Sequence, residues 1–181
     1  MVGSSVLRNL QKHGYNNILI KSRKELNLLN ELEVEDFFNH EKPEIVILAA
    51  AKVGGIHANN TYPANLLVEN LLIQTNAIKS AFKNNVKRFC FLGSSCIYPK
   101  YAKQPISEDE LLSSKLEPTN EYYAIAKISG LKMCQAYSNQ YGFDCFSLMP
   151  SNLYGTNDNY HPLNSHVMAA LIRKTIIAKE N

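Results

Sequence analysis

"EIVILAAA", residues 44–51, carries seven apolar side chains in unbroken succession after one glutamate. Strict alternation would mark a strand with one wet face. A short unbroken run marks a strand buried on both faces, the habit of parallel sheets. Three more segments read as strands: "NNILIK" (16–21), "KRFCFLG" (87–93) and "DCFSLM" (144–149). Longer stretches of helical period separate them. "LNELEVEDFFNHE" (29–41) reads as a helix stopped by Pro43, and 63–85 as a long helix with Pro63 at its tolerated first turn. Residues 120–142 read as a helix with Asn120 as N-cap and Gly142 past its end, and 165–180 as a final helix. Strand and helix in alternation predict an α/β fold, a doubly wound, Rossmann-like parallel sheet.

The first helical stretch, "VGSSVLRNLQKHG" (2–14), stands where a doubly wound domain expects a strand. If this helix follows the first strand, that strand and most of the glycine turn that cradles a pyrophosphate are missing. Gly3 is then the one candidate survivor, although helix packing explains a lone glycine equally well. The sequence also stops inside or just after a helix. No repeat, low-complexity segment or linker interrupts the 181 residues, so 1–181 is read as one partial domain, with 151–181 beginning a substrate-binding region.

Composition narrows the function classes. Apolar residues make up 45% and charged residues 19%, with a net charge of +3 and no basic run, so nucleic acid is not an expected partner. No apolar stretch approaches the ~20 residues that span a bilayer. The four cysteines form no CxxC pair or metal-ligand cluster, so no metal is expected. They are read as reduced thiols of a cytoplasmic protein.

In an open parallel sheet, ligands sit beyond the carboxyl ends of the strands. There lie "KVGGIHANN" after the second run, "SSCIYP" after the third and "PSNLYG" after the fourth. In "YYAIAK" (122–127), Tyr123 and Lys127 are one helical turn apart and face the same way. A phenol with pKa near 10 needs roughly 4 kcal/mol of preference for its anion to reach 7. A neighbouring ammonium is one source. By itself the spacing is common, and a tyrosine packed on a lysine stem explains it better. Ser94, Ser95 and Cys96 shift the balance: a hydroxyl past a buried strand can hold a substrate oxygen, and a thiol can exchange protons near neutrality. Only one of the two serines can face the site, because successive side chains point apart.

A Ser–Tyr–Lys set on this architecture resembles the extended short-chain dehydrogenase/reductases. The strings "LAAAKVGGIHANNTYPA", "FLGSSCIYPK", "LEPTNEYYAIAKISGLKMC", "MPSNLYG" and "DNYHPLNSHVMAALIRK" closely resemble the GDP-L-fucose synthase family, over essentially the whole chain. The resemblance implies an NADPH-dependent enzyme that epimerises carbons 3 and 5 of GDP-4-keto-6-deoxy-D-mannose and then reduces carbon 4. It implies that Ser94 holds the keto oxygen and Tyr123 protonates it. Lys127 binds the nicotinamide ribose and lowers the tyrosine pKa, and Cys96 and His166 form the epimerisation acid/base pair.

On the cofactor side the resemblance implies NADP contacts at Gly3, at Arg23, Lys24, Glu25, Leu26, Asn27 and Leu28, and at Leu92, Gly93, Ser94 and Ser95. Further contacts fall on Lys127, on Pro150, Ser151, Asn152 and Leu153, and on His166. Arg23 follows a predicted strand end, where an acidic residue would read the ribose of NAD; a cation suits the added phosphate of NADP. Lys174 falls at a substrate-binding position, with a solvated helix lysine as the even alternative. His57 receives no role. The family also implies a homodimer built on the helices 63–85 and 120–142.

Against the family pattern, the first strand, the first two glycines and most of the C-terminal sugar-nucleotide region are absent, so low stability or weak activity is expected. Two other readings stay open. One is a different extended-family sugar-nucleotide epimerase or dehydratase, although a dehydratase would place carboxylates near the serine and "SSCIYP" has none. The other is an inactive fragment that only binds.

Overall fold

The structure, a computed structural model, describes residues 1–180; Asn181 of the predicted domain lies outside them. The elements run α1 (Val2–Lys12), α2 (Glu31–Glu41), β1 (Ile45–Leu48), α3 (Ile56–Thr61), α4 (Pro63–Lys83), β2 (Arg88–Leu92), α5 (Glu121–Tyr141), β3 (Cys145–Leu148) and α6 (Val167–Glu180). The three strands form one parallel sheet in the order β1-β2-β3. Val46 pairs with Phe89 and Leu48 with Phe91 on one side of β2. On the other side Phe89 pairs with Cys145 and Phe91 with Ser147.

This register assigns the faces. Partners across a parallel sheet point the same way, so Val46, Leu48, Phe89, Phe91 and Cys145 share one face. That face meets Val34 and Phe38 of α2, Ala77, Ile78 and Ala81 of α4, and Ile128, Leu131 and Cys134 of α5. Phe89 and Phe91 are fully buried, each contributing about 1.5–3 kcal/mol by leaving water. On the opposite face Cys90 of the central strand is buried, while Ile47, Phe146 and Leu148 remain exposed.

The helix ends follow their local chemistry. Asn30 caps α2 by accepting from the Leu32 amide at 3.1 Å, and Lys42 closes it at φ 44° ahead of Pro43. Pro63 opens α4, and Gly142 ends α5 at φ 68°, a conformation that favours glycine. The predicted Asn120 cap fails. A tight turn over Pro118–Asn120 leads into α5, and the Asn120 side chain makes no capping bond.

Two strand expectations are corrected. Residues 16–21 form no strand: among the described residues no neighbour takes their backbone groups, and Leu19 and Ile20 are exposed. A ladder needs a partner, however apolar the run. The "EIVILAAA" strand is shorter than its apolar run and is not fully buried. It ends at Leu48, where the Ala49 amide turns back to the Ile47 carbonyl (3.0 Å). It is also an edge strand, with Ile45 64% exposed.

A close contact in the core lies where α5 crosses β2. A Cβ built on Gly130 would come within 2.5 Å of Phe91 Cζ and 2.6 Å of Gln74 Oε1. Gln74 is itself buried and donates to the Ala126 carbonyl. Gly130→Ala is therefore expected to cost about 1–3 kcal/mol in a urea unfolding titration, despite alanine's better helix propensity. An unchanged or raised midpoint would show that α5 does not sit this close to β2.

Candidate active site

The site is built on the end of β2. Lys127, one turn below Tyr123 on α5, is 5% exposed and donates from Nζ to the Leu92 carbonyl at 2.8 Å. Its ammonium sits 4.9 Å from the Phe91 ring centre and 5.9 Å from the Tyr123 ring centre. The chain then leaves the strand through Gly93, whose amide bonds the Leu148 carbonyl at 2.8 Å. A Cβ at Gly93 would meet Met149 Sδ at 2.4 Å and the Leu148 carbonyl oxygen at 3.3 Å, so the two strand ends approach closely here.

Past Gly93 the backbone enters a short turn over Ser95–Ile97. The Ser94 hydroxyl caps it, accepting from the Cys96 amide at 3.3 Å. Ser94 and Cys96 both lie near enough to the Tyr123 phenol to influence its ionisation. Ser94, Cys96, Tyr123 and Lys127 are thus brought together. The Ser95 amide bonds the Pro150 carbonyl at 3.2 Å, tying this turn to the loop after β3.

Electrostatics in the protein alone run opposite to a lysine-activated phenolate. Burial is the largest influence on Tyr123 and pushes it up to about 12, with Cys96 adding to the rise and the nearby Ser94 hydroxyl opposing it. Burial also pulls Lys127 down to about 8. The pair is therefore tuned for a phenol that keeps its proton at neutral pH and a lysine poised near neutrality.

A second feature lies past the end of β1. A cavity of about 440 Å³ is walled by Leu19, Leu26, Leu28, Leu29, Phe37, Ala49–Ala51 and Ile73, with Arg23, Asn27, Lys52 and Glu69 supplying polar groups. Arg23, Leu26, Asn27 and Leu28 of the expected cofactor segment line it. Lys24 does not, and Glu25 accepts from the Ser22 amide at 2.8 Å to close the turn. An apolar slot with cations at its mouth fits an adenosine bearing phosphate. Gly3 lies 3.5 Å, measured from an added Cβ, from Ala49 Cβ.

Other expected residues lie apart. Ser151, Asn152 and Leu153 are exposed on the loop after β3. His166 is exposed at the start of α6, where its carbonyl accepts from Ala170 at 2.9 Å, and no described contact joins its ring to Cys96. Lys174 points to solvent from α6. The sequence reading missed the polar residues of α4. Asn70 bonds both backbone groups of Lys52 (2.9 Å each), and Asn76 donates to the Leu28 carbonyl at 2.9 Å. Their signal was present: Asn70 and Gln74 stand on the stripe that Leu66, Ala77, Ile78 and Ala81 otherwise fill.

Lys127 has a testable signature. Its buried cation is a cost carried in full below pH 8. Between 8 and its ordinary 10.5 the unfolded chain binds more protons, so stability rises with pH across that window. Wild-type stability minus that of Lys127→Met should be flat below pH 8 and climb by about 3 kcal/mol toward pH 10.5 in denaturant titrations. A difference that stays flat throughout would mean a hydrated lysine.

Comparison with known proteins agrees with this geometry. The NAD dependent epimerase/dehydratase family matches residues 1–180. GDP-L-fucose synthase 1 of Arabidopsis thaliana is 60% identical over 181 residues, which are 100% of this chain and 56% of that protein. A GDP-D-glycero-L-gluco-heptose synthase of Campylobacter jejuni, solved in the presence of NADPH, is 44% identical with a TM-score of 0.91, covering 95% of this chain and 50% of its own. A GDP-L-fucose synthetase of Naegleria fowleri bound to NADP is 25% identical with a TM-score of 0.88, covering 99% and 59%. The chain spans about half the length of the curated relatives it matches. With a parallel sheet, a serine, tyrosine and lysine gathered at one strand end and this likeness over its full extent, the chain belongs to the NAD dependent epimerase/dehydratase family.

Proposed function

We propose that the protein carries the catalytic half of a GDP-L-fucose synthase, using NADPH to epimerise GDP-4-keto-6-deoxy-D-mannose at carbons 3 and 5 and to reduce it at carbon 4. One observation carries this reading: the Ser94–Cys96 turn and Tyr123 come together at the end of β2, where Lys127 is buried against the Leu92 carbonyl, in a chain that also holds an apolar cavity lined by Arg23 and Lys52. The 60% identity to a GDP-L-fucose synthase supports the choice of sugar nucleotide.

The chemistry follows from the groups. A keto group at carbon 4 acidifies the protons on carbons 3 and 5. The Cys96 thiolate removes them, and His166 serves as its acid partner from the loop before α6. Ser94 donates to the keto oxygen and polarises it. NADPH, when bound, supplies the hydride for carbon 4. Tyr123, a neutral phenol at pH 7, gives its proton to the oxygen as charge builds there. Lys127 then faces the phenolate left behind and holds the nicotinamide ribose. Arg23 and the wall from Leu26 to Leu28 hold the adenosine end, and Gly93 to Ser95, with Pro150 to Leu153, flank the nicotinamide. Lys174, exposed on α6, is assigned to the substrate.

A dehydratase is disfavoured, because no carboxylate is among the groups that perturb Tyr123 or Lys127. The protein is further proposed to be cytoplasmic, with its four cysteines free; no helix among the described residues is long and apolar enough to cross a membrane. It is also proposed to be a homodimer through α4 and α5, where Val68, Leu72, Tyr122 and Ile125 are exposed. A monomer mass in sedimentation equilibrium would remove the dimer.

The test is turnover of GDP-4-keto-6-deoxy-D-mannose, followed by the absorbance of the reduced nicotinamide. Tyr123→Phe should slow it by about 10²–10⁴-fold while leaving NADPH affinity unchanged; wild-type turnover would refute the role. Cys96→Ser should slow solvent-deuterium uptake at carbons 3 and 5 before it slows reduction, and uptake at the wild-type rate would remove the thiol from the mechanism. No thermal shift at millimolar NADPH would favour an inactive binding remnant.

A further inference from the structure

We propose that Lys52 is a second phosphate-recognising cation of the cofactor cavity, acting with Arg23 to select NADPH over NADH. The inference rests on the NADP reading above and adds a residue to it. Lys52 leaves the end of β1 on a backbone held from α4: Asn70, 2% exposed, accepts from the Lys52 amide and donates to its carbonyl, each at 2.9 Å. The Asn70 side-chain amide also donates to the Leu66 carbonyl at 2.7 Å, so its orientation is fixed. A side chain launched from such a pinned backbone loses less freedom when it binds.

The Lys52 ammonium reaches Glu69, the neighbour of Asn70, at 3.4 Å from Oε1. Arg23 reaches the other oxygen of the same carboxylate at 3.7 Å. One carboxylate, itself 17% exposed, therefore holds two cations that arrive from different segments of the cavity wall. Both distances exceed the 2.7–2.9 Å of a tight charge-assisted hydrogen bond, so both pairs are loose. Two cations against one carboxylate leave a single positive charge in excess at the mouth. A phosphate monoester carries about −1.5 to −2 at neutral pH and offers three strong acceptor oxygens. It is the better counter-ion for both cations together. A bare ribose hydroxyl brings no charge and leaves them on Glu69. Lys21 also lines the cavity but pairs with a different carboxylate, Glu41, whereas Lys52 shares Glu69 with Arg23 and is thereby the cation positioned to join it.

The test measures dissociation constants of NADPH and NADH for the wild type, Lys52→Met, Lys52→Arg and Arg23→Met. Lys52→Met should weaken NADPH by about tenfold and change NADH by less than about twofold; Lys52→Arg should recover most of the loss. The side chain is 42% exposed, and thermal melts of the free variants are expected to match the wild type. Equal weakening of both cofactors, or an unchanged NADPH constant with Arg23→Met impaired, would overturn the role of Lys52 alone. A wild type that binds both cofactors equally and is indifferent to Arg23→Met would instead overturn the NADP reading, and this inference with it.

Discussion

The hydrogen bond from the Lys127 ammonium to the Leu92 carbonyl holds the site together. A cation that is 5% exposed is costly unless something accepts its protons. The last carbonyl of β2 does so, since the ladder to β3 ends beside it. The bond fixes α5 along its axis against the strand end. With Lys127 so fixed, Tyr123 one turn earlier must lie over the turn that begins at Ser94. Gly130, one turn later, must lie against Phe91, where no side chain fits. Catalytic geometry and core packing are thus two ends of one constraint.

Helix α4 performs the matching task for the cavity. Its apolar stripe packs on the sheet face that carries Phe89 and Phe91, and four polar residues on or beside that stripe reach outward. Glu69 holds two cations, Asn70 the backbone of Lys52, Gln74 the backbone of α5 at Ala126, and Asn76 the Leu28 carbonyl. Three of these are buried side-chain amides spending their donors on loop or helix carbonyls. Cavity wall and catalytic helix are therefore registered to one common element.

Much of this was legible in the residues. The apolar runs at 44–51, 87–93 and 144–149 became the three paired strands, and Pro63 and Gly142 marked the ends they should mark. The Tyr–Lys spacing and the serine–cysteine turn met as their positions in a parallel sheet require. Illegible parts share a cause: they depend on what lies across space. "NNILIK" has strand composition, yet no described neighbour pairs with it. Asn120 has cap chemistry, yet the turn before it delivers a backbone that cannot use it. The amides of α4 stand visibly on its apolar stripe, but the loop and helix carbonyls they bind are set by the fold. The direction of the tyrosine shift also escaped. Spacing shows that a lysine is near, whereas burial, which acts on both groups and outweighs that nearness, is a property of the packed structure.

The central claim is that packing on the end of β2 keeps the Tyr123 phenol protonated until ligands enter. Its most direct test is a carbon-13 NMR titration of the tyrosine ring carbons, with Tyr123 assigned by the Tyr123→Phe variant. The account predicts that Tyr123 in the free protein ionises at about 12. A Tyr123 titration at or below the ordinary phenol value of about 10 would contradict it, because the site would then be hydrated or already charged by its lysine.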